Sequence, residues 1–338
     1  MTDLGHLRRL ALVPVVALLA AGCGAGSDPA PEDPDGAAVE GFPVTVQNCG
    51  RELTFDEPPS RVVTSFLPTL ETLIELGVGD RVIGRTASAD QLGVAGFLPG
   101  HEELYDAIPE VSDGYRPPPK EELLALAPDF VFGMSFNDFN PETGFATVEE
   151  LEEAGIPVYI ASGWCTVEGA NNYEIQSTLD DLRNLGKIFG VEQRGADLAA
   201  GIEQRLADVD ARVSGLEPLT VVAADASAEI FYAMGLGMGN DVIERAGGRN
   251  VFAEVGEYAE VSVEEVAAAD AQAYLVIDYE PATPEERIAV IEAVAPGSVG
   301  VQEQRYAVVP GVAIHPGVRV VDAIEALAKV LHPDAFEA

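Results

Sequence analysis

The amino-acid sequence predicts an α/β protein of two lobes joined by one long helix, with a cleft between the lobes, and three observations predict it. Short apolar strands alternate with short helices along most of the chain, as in parallel βαβ units. That alternation stops once, over residues 173–214, where apolar residues recur at helical spacing with no strand signal. Beyond a leader and a tether, about 300 residues remain, more than a single core comfortably holds.

The first residues read as an export leader. Arg8 and Arg9 precede an apolar run from Leu10 to Ala20, and small residues lead to Cys23. The run is far shorter than the ~20 apolar residues that span a bilayer, so residues 1–22 are expected to be a signal peptide and not a retained span. Ala20-Ala21-Gly22-Cys23 resembles the lipobox of bacterial lipoproteins, which implies that Cys23 carries lipid and begins the mature chain. Ala20 departs from the leucine usual three residues before that cysteine, and an ordinary signal peptide with an incidental cysteine is the alternative. Residues 23–40, rich in Gly, Pro, Ala, Asp and Glu without apolar periodicity, read as a flexible tether. The expected location is outside the cell, anchored by lipid to the outer face of the cell membrane.

The formal charge is −38, and losing Asp3, Arg8 and Arg9 with the leader makes it −39. Such acidity excludes nucleic acid as a partner and disfavours any membrane contact beyond the lipid, since both need basic patches. Lys120, Lys187 and Lys329 are the only lysines, a pattern that suits a high-GC genome or a saline habitat alike. With Cys23 lipidated, Cys49 and Cys165 remain in an oxidising compartment and are expected to pair; two unlinked thiols are the alternative. Neither lies in a CxxC or His-rich motif, so no metal site is built from them.

In the N-terminal lobe, residues 41–172, strands are expected at 61–66, 81–84, 129–132 and 157–160. Helices are expected at Pro68 to Leu76, stopped by Gly77, at Glu121 to Leu126, and at Thr147 to Ala154, stopped by Gly155. In the connection, Ile175, Leu179, Leu182, Leu185 and Ile188 mark one amphipathic helix, broken at Gly190. Ala199, Ile202, Leu206, Val209 and Val213 mark a second, which from Val191 would reach ~35 Å, enough to cross from lobe to lobe. In the C-terminal lobe, residues 215–338, strands are expected at 220–223, 273–277 and 306–309, with helices from Asn240, Ser262, Pro284 and Val318.

Residues 120–132 align without gaps on residues 263–275, each a helix opened by two glutamates and followed by a strand. Helix capping explains much of this echo, since Ser262 and Glu265 form a capping-box pattern.

Phe42 to Phe55 with Pro58-Pro-Ser-Arg-Val-Val63, then Leu126-Ala-Pro-Asp-Phe-Val131, Leu185-Gly-Lys-Ile-Phe-Gly190, Ala246-Gly-Gly-Arg-Asn-Val-Phe252 and Val320 to Ala328 occur in the order of one known family. Over nearly the whole mature chain, the sequence resembles actinobacterial iron-siderophore binding lipoproteins of ABC importers. The resemblance implies two Rossmann-like lobes joined by one long helix, holding a ferric siderophore, haem or cobalamin in the cleft. It also implies delivery to a permease dimer by a monomeric receptor, with Glu121 and Glu264 docking on the permease, one from each lobe.

Enzymatic motifs fit poorly. Gly133-Met-Ser135-Phe-Asn137 lacks the second glycine of a nucleophile elbow. Gly235-Leu-Gly-Met-Gly239 resembles a dinucleotide loop, but Asn240 stands where the third glycine belongs, and it reads as a glycine-rich cleft loop. Of the mature histidines, His332 falls in the last helical turn and His101 in an acidic stretch without apparent structure, which is thin for a metal-ion receptor. That receptor, and an extracytoplasmic enzyme of unknown reaction, are the alternatives; neither cofactor nor resident metal is expected.

Ligands of parallel α/β lobes bind beyond the carboxyl ends of the strands. Candidate contacts are therefore Phe66, Arg85, Phe136, Trp164, Tyr232, Tyr279 and His315, joined by Tyr115, Arg116 and Arg319. Aromatic faces and a few arginines suit a planar or chelate ligand, and loop packing or surface ion pairing is the alternative for each. Converging arginines would mark an anionic siderophore, and their absence a neutral or cationic chelate.

Overall fold

A computed structural model describes residues 39–86, 98–112, 114, 116–165, 174–226, 231–256, 258–279 and 281–337. The chain enters through a hairpin of β1 (Val44–Asn48) and β2 (Arg51–Phe55), paired antiparallel from Val44↔Phe55 to Asn48↔Arg51. Cys49 and Gly50, both at positive φ, make its two-residue turn. The Asn48 side chain holds both N–H and C=O of Ile160, and a disulfide joins Cys49 to Cys165 with Cα atoms 5.1 Å apart. The hairpin is thereby fastened to the end of the last strand of the first sheet.

That sheet is parallel throughout, in the order β5-β4-β3-β6-β7. Its strands are β3 (Val62–Thr64), β4 (Val82–Thr86), β5 (Glu110–Ser112), β6 (Phe130–Gly133) and β7 (Val158–Ile160). α1 (Leu67–Glu75) follows β3 and buries Leu67, Leu70, Leu73 and Ile74 against it. α2 (Glu102–Ala107) starts at His101, so this histidine opens a helix instead of sitting in an irregular stretch. α3 (Lys120–Ala125) and α4 (Val148–Glu153) complete the lobe, α4 with a capping box from Thr147 and Glu150.

Two helices cross between the lobes. In α5 (Ile175–Ile188), Ile175, Leu179 and Leu182 join the C-terminal core, while Leu185 and Ile188 join the N-terminal one. The N–H of Ile175 donates to Asp241 of the C-terminal lobe, so α5 runs from that lobe back to the first. α6 (Glu192–Val213) returns: Arg194 donates to the carbonyl of Glu75, and about three turns on Arg205 pairs with Asp322 and Glu325. At ~1.5 Å per residue α6 is ~33 Å long, the interlobe helix the spacing suggests, with α5 antiparallel beside it. The two touch backbone to backbone because both residues at the crossing are glycine. A Cβ on Gly195 would lie 2.4 Å from the carbonyl oxygen of Leu182.

The second sheet has the order β11-β9-β8-β12-β13, with β10 also on β8. It comprises β8 (Leu219–Ala226), β9 (Phe231–Ala233), β10 (Gly248–Asn250), β11 (Ala259–Val261), β12 (Ala273–Asp278) and β13 (Tyr306–Pro310). β8, β10, β12 and β13 are parallel, whereas β9 is antiparallel to β8 and to β11. Only four residues separate β8 from β9, and a parallel return needs a dozen or more. α7 (Met238–Arg245), α8 (Val263–Ala268), α9 (Pro284–Val294), α10 (Val299–Gln302) and α11 (Val320–Leu331) surround the sheet. The glycine loop at 235–239 follows β9 and opens α7. β9 leads away from the carboxyl edge of the sheet, and the amides of Gly235 and Leu236 bond to Gly256 and Val255.

Candidate functional site

The carboxyl ends of both sheets meet at an aromatic cluster. β3 ends into Phe66, β7 into the turn carrying Trp164, β12 into Tyr279, and β13 into the short helix Gly311–Ile314 that precedes His315. His315 is the hub: its ring lies 5.0 Å from Phe66, 5.9 Å from Trp164 and 6.4 Å from Tyr279. Its Nε2 shares a 2.7 Å hydrogen bond with the Tyr279 hydroxyl, and burial pushes its pKa down to about 4, so the ring is neutral. Among the described residues its Nδ1 has no hydrogen-bond partner, nor has the buried Nε1–H of Trp164. Trp164 and Tyr279 pack against the cores of both lobes, which makes this floor common to the two. Gly311 is required beneath it, because a Cβ there would lie 2.1 Å from the Tyr279 ring.

Phe66 is held in a backbone conformation that favours glycine, with φ 70° and ψ 148° at the N-cap of α1. Such strain costs on the order of 1–3 kcal/mol and concentrates at functional sites. The N–H of Phe66 donates to Thr86 Oγ1, fixing the turn. Beside it, Ser65 Oγ and the amides of Met134 and Ser135 converge on Asp138, whose carboxyl is pushed up to about 6 by burial.

The arginines are engaged by acids. Arg319, at the N-cap of α11, pairs across the lobes with Glu71 of α1 at 3.3 Å, while Gly317 packs against Pro68. Burial pushes Glu71 up to about 7 against the pull of Arg319. Arg85 pairs with Glu110 at 2.9 Å and lies over the Tyr105 ring at 4.0 Å. Arg116 sits over Phe145 at 5.9 Å, with the Asp138 carboxylate in electrostatic range. Phe136 packs against the outer core of the N-terminal lobe and does not join the His315 cluster. Tyr115 and Cys23 lie outside the described residues.

A second aromatic group lies on the C-terminal lobe. Tyr232 and Tyr258 stack with ring centroids 4.7 Å apart and planes 9° from parallel, and the Tyr258 hydroxyl donates to Asp225. Asp225 also pairs with the buried Arg287, which donates to the carbonyl of Tyr279. Sequence reasoning found Tyr232 but missed Tyr258, Asp225 and Glu71. An Ala-Glu-Val strand flanked by Tyr258 carries no pairing signal, and an acid inside the α1 pattern reads as a solvent face.

Glu121 and Glu264 are exposed in the first turns of α3 and α8. The capping box of α8 uses Ser262 and Glu265, leaving Glu264 out of it. Among the described residues neither Glu121 nor Glu264 carries an ion pair.

Comparison with known proteins agrees with this architecture. The lipoprotein YvrC of Bacillus subtilis, an uncharacterized ABC transporter substrate-binding protein, is 21% identical over 333 residues, covering 96% of each chain. A cobalamin-binding protein of Halobacterium salinarum is 25% identical over 352 residues, 97% of this chain and 85% of that one. The crystal structure of an ABC-type Fe3+-hydroxamate transport system from Saccharomonospora viridis matches with a TM-score of 0.67 at 24% identity, over 88% of this chain and 100% of that one. The profile of the family described as periplasmic binding protein matches residues 62–291, more than half of the chain, and the chain therefore belongs to the periplasmic binding protein family.

Proposed function

We propose that this chain is the extracytoplasmic solute-binding protein of an ABC importer, held at the outer face of the cell membrane by lipid on Cys23. Residues 41–172 and 215–338 are its lobes and residues 173–214 their connection. Its cargo is an iron chelate or a related corrin or haem, delivered to a permease dimer without a chemical step. The observation that carries this reading is the floor shared by both lobes, where Phe66, Trp164, Tyr279 and His315 meet at the carboxyl ends of the strands. Two buried ring nitrogens there have no partner among the described residues, and buried polar atoms are nearly always satisfied when a site is complete. The Fe3+-hydroxamate and cobalamin relatives support the cargo class, and the lipoprotein relative supports the anchor. Exposed Glu121 and Glu264, one on each lobe, support docking on two halves of a permease. The test is calorimetric titration of the purified protein with ferric hydroxamates, cobalamin and haem. Saturable one-to-one binding of at least one is expected, and no binding of any would overturn the reading.

A further inference from the structure

Within the reading just given, the charges along the strand ends narrow the cargo. Among the described residues three guanidiniums stand there, and each meets a carboxylate of this same chain: Arg85 meets Glu110, Arg287 meets Asp225, and Arg319 meets Glu71 with Asp322 at 3.9 Å. The remaining cleft candidate, Arg116, lies near Asp138. A cavity of about 520 Å³ at the end of β5 is lined, among the described residues, by Glu110, Val111, Ser112, Pro119 and Glu122, two carboxylates and no basic group. On the C-terminal lobe, Asp225 stands in register with Tyr232 and Glu260 on adjacent strands, so all three project from one face of the sheet. Tyr258 stacks on Tyr232 and remains 47% exposed.

An anionic ligand entering such a cleft loses its hydration and must draw an arginine away from an acid already bonded to it. Like-charge contact with the partner carboxylates then opposes binding further. A neutral or cationic chelate loses less water, and finds tyrosine faces and balanced charge. We propose that the cleft selects a metal chelate of zero or positive net charge, such as a ferric hydroxamate or a corrin, seated on the Tyr232–Tyr258 stack beside Asp225. Polyanionic chelates, including haem with its two propionates, are rejected.

The experiment compares probes of different charge on the same purified protein by calorimetry: ferrioxamine B as a cationic trihydroxamate, ferrichrome as a neutral one, aquocobalamin, the trianionic ferric enterobactin, and haem. At least one neutral or cationic probe should bind ~100-fold or more tightly than either anionic probe. Asp225→Asn unbalances Arg287, and Glu110→Gln unbalances the more accessible Arg85. Each should move the ratio toward the anionic probes by about ten-fold. Glu110 is at a sheet edge, so its variant serves if Asp225→Asn does not fold, and melting curves report that. Equal or tighter binding of ferric enterobactin or haem by the unaltered protein overturns the charge selection while leaving the solute-binding function intact. Failure of every probe to bind overturns both. An unmoved ratio in folded Glu110→Gln protein also counts against the proposal, because the balance at Arg85 would then have no bearing on selection.

Discussion

At the scale of single residues, the cleft floor is built at a conformational cost that mutation can expose. Phe66 occupies backbone angles natural to glycine, so Phe66→Gly removes the ring but relieves the strain, whereas Phe66→Ala removes the ring and keeps it. Phe66→Gly should therefore be the more stable of the two by about 1 kcal/mol in urea unfolding, reversing the usual order of alanine and glycine. Alanine proving the more stable would show that the turn relaxes when the ring is lost. Trp164 tests the ligand role of the floor more directly. Trp164→Phe keeps an aromatic ring between the cores and removes the Nε1–H that has no partner among the described residues. Affinity for the cargo should fall about ten-fold, within the range of one lost hydrogen bond, with little change in stability. Undiminished affinity would make Trp164 packing alone. These floor residues were legible because ligands collect past strand ends, and strand ends are marked by apolar runs. Glu71 was not, because only tertiary packing buries the face of α1 that carries it.

At the scale of elements, local pattern was readable where a segment's own period decides its structure, and unreadable where a neighbour decides it. α1, α3, α4 and the strands β6, β7, β12 and β13 lie within a residue or two of their expected places, since apolar runs and glycine stops govern them. β9, β10 and β11 are three residues each; β9 and β10 form because β8 is long enough to take two partners, and β11 forms by pairing with β9. The crossing of α5 and α6 was likewise hidden, although its glycines were in view. Glycine in a helix interior lowers propensity and gives no sign of a partner, while in the structure Gly186 and Gly195 let the backbones touch. Gly195→Ala weighs two effects of opposite sign. Alanine gains about 1 kcal/mol of helix propensity, but its Cβ would fall 2.4 Å from the backbone oxygen of Leu182, and a clash with backbone costs about 1–3 kcal/mol or more. Net destabilisation of roughly 1–2 kcal/mol is expected in denaturant unfolding. Gly201 on the same helix has nothing within 4 Å of its added Cβ, so Gly201→Ala should stabilise and serves as the control. A stabilised Gly195→Ala protein would mean the helix pair separates at no cost.

For the whole molecule, the sequence made the compartment, the two lobes and the acidity legible, but not which acids are buried. Delivery is the first whole-molecule property to test. Glu121→Ala with Glu264→Ala should reduce uptake into cells or proteoliposomes while leaving ligand affinity and melting unchanged, because neither residue caps through its side chain. Full uptake by the double variant would remove the docking role. Stability against pH is the second property, and here the buried acids decide. Burial pushes Glu71 from 4.5 to about 7, Asp181 from 3.8 to about 7 and Asp138 from 3.8 to about 6. Each binds its proton more tightly in the folded chain, so the stability it contributes is complete below its unfolded pKa and is lost as pH rises through the folded one. His315 works the other way: its pKa falls from 6.5 to about 4, so stability is lost as pH drops across that interval. Three carboxyls outweigh one imidazole in the shared window, and between 6.5 and 7 the carboxyls act alone. Self-repulsion of a chain with formal charge −38 adds the same sign, but over the surface, where salt at physiological strength screens beyond about 8 Å. Melting temperature should therefore be higher at pH 5 than at pH 8. High salt should narrow the difference without abolishing it, because buried groups are screened far less than exposed ones. A melting temperature that rises from pH 5 to pH 8 in high salt would contradict the placement of Glu71 and Asp181 in the interior.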